Sequence, residues 1–115
     1  MSTTLKSVIE ALPAEIVYAP EDWEGRTFKN VFASDLISDI LMNDGEDPLI
    51  ITSLLSDQIL RAAEVIGAAG VIVAHRKQIP PALGRAAEKL GVPLFVTPLT
   101  KFRTSVRTGR VMGIE

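Results

Sequence analysis

"GVIVAHRKQIPPALGRAAEKLGVPLFVT", residues 70–97, decides the fold. It opens on an apolar run, GVIVA (70–74), without polar alternation, so both faces of that strand are buried. HRKQIP (75–80) follows as a polar loop. PALGRAAEKL (81–90) reads as a helix, and Gly91 stops it by taking the left-handed conformation that helix ends favour. PLFVT (93–97) is a second apolar strand. Strand, helix and strand joined by short loops form a right-handed crossover between parallel strands.

The same unit recurs on both sides. Upstream, PLIIT (48–52) is a short strand, followed by a helix with Ile59, Ala62, Ala63 and Ile66 on one face. Downstream, PLTKFRTSV (98–106) reads as a helix with Pro98 at its first position. Near the start, Leu5, Val8, Ile9 and Leu12 mark a helix that Thr3 or Thr4 caps and Pro13 ends. EIVYA (15–19) is a strand, PEDWEG (20–25) a turn and RTFKNVFA (26–33) a second strand. Its alternation puts Phe28 and Phe32 on one face, with Val31 and Ala33 on the other. Ser34 then caps a helix that begins at Asp35 and carries the stripe Leu36, Ile37, Ile40 and Leu41. Asp35 and Asp39 lie on its outer side, and the polar loop NDGED (43–47) ends it. TGRVMGIE (108–115) shows no clear pattern. The expected architecture is one α/β domain over residues 1–115, with a mostly parallel sheet, βαβ crossovers and flanking helices.

Bulk properties suit that reading. The chain has 115 residues, 47% apolar and 23% charged, enough for one core. There is no cysteine, which excludes disulfides and thiolate metal sites. The net charge of −2 gives no pull toward nucleic acid. No apolar run approaches the roughly 20 residues that a membrane-spanning helix needs. No basic stretch leads into an apolar run at the start, so a soluble cytoplasmic protein is expected. Charge is uneven along the chain. Residues 1–47 hold ten acids and three bases, and residues 48–115 hold four acids and nine bases. One fold can interleave the two parts, or they can orient a self-association.

In open parallel sheets, ligands collect beyond the carboxyl ends of the strands. The residues expected there are Ser34, Asp35, Thr52, Ser53, His75, Arg76, Lys77, Thr97 and Thr100. Hydroxyls, two cations and an imidazole near helix starts form a rim that suits a small anionic ligand, such as a phosphate or carboxylate. Plainer roles exist for each. Ser34, Ser56 and Thr97 serve equally as helix caps, Thr52 as a strand-end partner, and Arg76 and Lys77 as a solvated loop. A lone His75 cannot build a histidine-rich metal site. Asp35 and Asp39, one helical turn apart, supply too few oxygens for a hard cation. Neither a metal nor a cofactor is expected.

Several chemistries find no motif. "GAAG" (67–70) lacks the lysine of a phosphate-binding loop and precedes a strand. No Gly-x-Gly-x-x-Gly turn and no Gly-x-Ser-x-Gly elbow occurs. A Ser53–His75–Asp35 triad can be assembled only on paper.

From EGRTFKNVFASDLISDIL (24–41) onward the chain resembles the DRTGG-domain family, in which an arginine-containing strand leads into a Ser-Asp-Leu-Leu-Ser-Asp helix start. Ser34, Asp35, Leu36, Ile37, Ser38 and Asp39 stand there in this chain. The resemblance continues through PLIITSLLSDQILRAAEVIGAAGVIVAHRKQIPPAL (48–83) and AAEKLGVPLFVTPLTKF (86–102), nearly the whole chain. Arg26 matches the family's arginine. Gly25 replaces the preceding acid, and Asn30 and Val31 stand in place of the glycine pair. The resemblance implies a fold similar to the N-terminal domain of HPr kinase/phosphorylase. It also implies a regulatory or interface-forming role, as in relatives fused to phosphotransacetylase or inserted between CBS domains of pyrophosphatases. A kinase label is not expected to transfer, because residues 1–115 carry no nucleotide-binding domain.

The expected function is therefore a non-catalytic regulatory or assembly module. It would bind a small anionic ligand or a partner protein at the strand ends and form a homodimer, with Phe102 and Val106 either in the contact or in the core. The alternatives are a small enzyme using Asp35 with His75 or Lys77 for acid–base work, and an accessory subunit of a hydrogenase-type redox complex.

Overall fold

The computed structural model describes residues 3–114. The five-stranded sheet combines β2 (Glu15–Tyr18), β4 (Val31–Ala33), β5 (Leu49–Thr52), β6 (Gly70–Ala74) and β7 (Leu94–Thr97) in the order β2-β7-β6-β5-β4. Strands β4 to β7 run parallel, and β2 joins the β7 edge antiparallel. A mostly parallel α/β sheet is thus present as the sequence predicts. The central runs LIIT, GVIVA and LFVT are buried at every residue. Their branched side chains fit a pleated surface covered on both sides.

Helices cover both faces. On one lie α1 (Leu5–Ala11) and α5 (Lys101–Val111), over Leu49, Ile51, Ile72 and Phe95. On the other lie α3 (Asp57–Val65) and α4 (Pro81–Leu90), over Ile50, Val71, Val73 and Leu94, with α2 (Ile37–Leu41) beside α3. Thr4 caps α1, accepting from the Ser7 N–H at 3.3 Å, and Ser56 caps α3, accepting from Gln58 at 3.2 Å. Gly91 ends α4 at φ 71°, as its position after the helix predicts. Trp23, in a 3-10 turn, packs over Phe95 with ring centroids 5.4 Å apart.

Three expectations change. The stretch 26–33 is two short strands. The first, β3 (Thr27–Phe28), pairs antiparallel with β1 (Thr3–Thr4), and the chain breaks at Lys29–Asn30 before β4. The break sends Phe28 and Phe32 to opposite sides of the sheet. The helix expected from Asp35 starts only at Ile37, with Leu36 extended at its N-cap. Of its predicted stripe only Ile40 is fully buried, and Leu36 and Leu41 are exposed. The helix expected from Pro98 starts at Lys101, capped by Thr100, and runs through much of the patternless tail. Phe102 and Val106 are exposed, so they are not core.

Candidate functional site

Three parallel strands end in the same way. Ser34 Oγ accepts from the Leu36 N–H (3.0 Å), Thr52 Oγ1 from Leu54 (3.2 Å) and Thr97 Oγ1 from Leu99 (3.3 Å). A hydroxyl that bonds the N–H two residues on closes a tight turn. The triplets Ser-Asp-Leu, Thr-Ser-Leu and Thr-Pro-Leu are the sequence form of this device. It explains why α2 and α5 start late: Ser34 and Thr97 close turns and do not cap helices.

Strand β6 has no hydroxyl at its end. His75 instead takes φ 63°, unusual for a residue with a side chain. Its N–H bonds Leu99 O at 2.7 Å, and the Arg76 N–H bonds Thr97 O at 3.1 Å. The turn leaves the side chains of His75, Arg76 and Lys77 exposed in succession.

Asp35 joins the elements at this end. Its Oδ1 accepts from Thr52 Oγ1 (2.9 Å) and the Ser53 N–H (2.8 Å), and its Oδ2 from Ser53 Oγ (2.8 Å) and Lys101 Nζ (2.5 Å). Loss of hydration on burial raises the carboxyl pKa. The bonds from Lys101, the Ser53 N–H, Ser53 Oγ and Thr52 outweigh it and hold the group well below the usual carboxylate range. Such a group is a poor proton acceptor near neutral pH. Its bonds run to Thr52, Ser53 and Lys101, none of them to His75, so the acid–base pairing with His75 has no support.

The predicted residues therefore divide. Asp35, Thr52 and Ser53 form one bonded cluster, which Arg76 joins by donating to Ser53 O at 3.2 Å. Thr97 is fully buried, and Thr100 is occupied in capping α5. Lys101 is the residue that sequence reasoning missed. It lies 66 positions from Asp35, and no local pattern links them. Asp39 is exposed on α2, away from this cluster. Among the described residues, no group of three or more potential metal ligands forms, and no buried side-chain polar atom lacks a partner. No helix among them is long and apolar enough to cross a membrane.

The opposite end of the sheet holds a feature the sequence did not suggest. A cleft of about 370 Å³ opens before β5 and β6, lined by Arg26, Thr27, Asp47, Gly67 and Ala68. Arg26 also faces Asp22 at 3.7 Å. The only sequence signs were Arg26, singled out by the family resemblance, and the glycine pair of GAAG.

No protein-family model and no curated protein matches the chain. Among solved structures, it is similar to the CBS and DRTGG domains of the regulatory region of Clostridium perfringens pyrophosphatase, crystallised with the activator diadenosine tetraphosphate. The TM-score is 0.74 at 18% identity, over 96% of this chain and 46% of that one. The shared feature is the fold. This chain spans about half the length of its structural neighbour, and at this identity the likeness carries no residue roles. It agrees at the level of fold with the resemblance read from EGRTFKNVFASDLISDIL (24–41).

Proposed function

We propose that this chain is a regulatory module that takes a small phosphate-bearing anion at the carboxyl end of β6. The observation that carries the reading is the run His75, Arg76 and Lys77, exposed beside a carboxylate already neutralised by Lys101. Without Lys101, Asp35 would repel an anion. With the pair closed, Arg76 and Lys77 set the local charge. Arg76 also offers planar, multiple donors suited to phosphate. A regulatory region of similar fold crystallised with a polyphosphate nucleotide supports the same class of ligand. Asp35 acts here as a brace that holds β5 and α5 in place, with no proton to move.

Isothermal titration with inorganic pyrophosphate and with diadenosine tetraphosphate tests this. The wild-type chain is expected to bind at least one of them, more weakly as salt is raised. The double variant Arg76→Glu, Lys77→Glu should bind ~10-fold more weakly or worse, because charge-assisted bonds are lost and repulsion replaces them. Binding that the double reversal leaves unchanged, or no binding of either probe, overturns the reading.

A further inference from the structure

We propose that the outer face of the α2–α3–α4 layer is the surface on which two copies of this chain pair. Two exposed large apolar side chains stand there, Leu41 (48% exposed) and Val65 (74%), and Leu36 and Met42, also exposed, flank the two ends of α2. Two shallow grooves cross the layer. One, of about 350 Å³, runs between α2 and α3 along Ile37, Leu41, Ala62 and Val65. The other, of about 400 Å³, runs between α3 and α4 along Arg61, Glu64, Val65, Lys89 and Leu90. Arg61 and Val65 line both, so α3 is a ridge with a groove on each side. Ridge and groove are what a second helical layer needs in order to interdigitate.

The charges indicate the occupant. Around the α3–α4 groove stand two acids, Asp57 and Glu64, and two bases, Arg61 and Lys89; Asp57 and Arg61 pair with each other along α3 at 3.2 Å, which leaves Glu64 and Lys89. A balanced ring about an apolar centre gives a strongly charged partner no net attraction. It matches itself, because a two-fold axis lets Glu64 of one copy meet Lys89 of the other. The other exposed apolar face, on α5, behaves oppositely. Phe102 (77% exposed) and Val106 (36%) are flanked there by Arg103, Arg107 and Arg110. A two-fold contact through α5 would set arginine against arginine, which disfavours Phe102 and Val106 as the homodimer contact expected from sequence. Size is also adequate. A stable interface buries about 800 Å² per partner, and one side of a body measuring 35 × 29 × 28 Å offers an area of that order.

Sedimentation velocity of the full chain over a dilution series tests the proposal. The wild type should show a monomer–dimer equilibrium. Val65→Glu and Glu64→Lys should each weaken it ~10-fold or more, as losses at the centre of an interface do. Both sites are exposed, so far-ultraviolet circular dichroism should be unchanged; should one variant misfold, the other carries the test. Phe102→Glu should leave the dimer intact. A single monomer mass at every concentration overturns the proposal. So does a dimer that survives both α3 substitutions, or one that Phe102→Glu dissociates. None of these outcomes depends on anion binding at the rim.

Discussion

The two ends of the sheet use polar residues in opposite ways. At the carboxyl ends, Asp35, Thr52, Ser53 and Lys101 satisfy one another and fill the space between strands and helices. At the amino ends, Arg26, Thr27 and Asp47 border a cleft that remains open. Each end also contains left-handed backbone: His75 at φ 63° at the first, Asp47 at φ 44° and Gly67 at φ 67° at the second. The difference shows that polar groups gathered at strand ends do not by themselves make a pocket. What matters is whether they find partners within the chain. At the carboxyl ends, the run His75, Arg76 and Lys77 beyond β6 is the part left exposed.

The strongest way to break this contrast is Asp35→Ala. The substitution removes four bonds at once and leaves the donor of Thr52, a fully buried residue, without a partner. Chemical denaturation should show a loss of about 2–3 kcal/mol, the scale of buried donors left unsatisfied. A loss within experimental error would mean that the cluster is decorative.

Gly67→Ala probes the other end. An added Cβ has room, since its nearest neighbour would be Asp47 Oδ1 at 4.0 Å. The cost is then conformational, about 1–2 kcal/mol for a left-handed residue with a side chain. A neutral result would show that the turn bordering the cleft relaxes freely.

The smallest effect belongs to Lys101→Met. Both side chains of its pair are partly exposed, at 41% and 34%, so the loss at neutral pH should stay below about 1 kcal/mol. Its pH dependence is the sharper readout. The folded-state pKa of Asp35 is depressed, so its contribution is complete above the unfolded value of about 4. The contribution is lost as pH falls through the folded value. Wild type and variant should therefore differ most above about pH 4 and converge in stronger acid. Thermal melts at several pH values would reveal a difference that instead grows on acidification, which would remove Asp35 as the partner that matters.

The central architecture was legible because Leu49–Thr52, Gly70–Ala74 and Leu94–Thr97 are unbroken apolar runs, and burial on both faces leaves few other readings. The ends of elements were not. Ser34 and Thr97 present the same hydroxyl whether they cap a helix or close a turn, and only the geometry of the following residues separates the two. The break at Lys29–Asn30 was hidden by an alternation that continued across it. Asn30 O accepts from Leu49, and its side chain reaches Glu46 O at 3.2 Å, so the break is set by a segment far along the chain. In the candidate site, Asp35, Thr52 and Ser53 were named from strand-end position alone. Lys101 was not, because its partner is fixed by how α5 crosses the sheet.

Helix α5 turns threonines inward and a phenylalanine outward. Thr104 and Thr108 are buried, and their hydroxyls bond to Leu99 O and Thr104 O. An inner face of this kind removes less apolar surface from water than the Ile and Leu face of α3. Regions with few buried apolar contacts open first in local unfolding. Amide hydrogens of α5 should therefore exchange with solvent ahead of those in β6. An opening that detached α5 would carry Lys101 away from Asp35 and leave the carboxylate without its countercharge. Fraying of this one helix would then appear beside Arg76 as an intermittent negative charge.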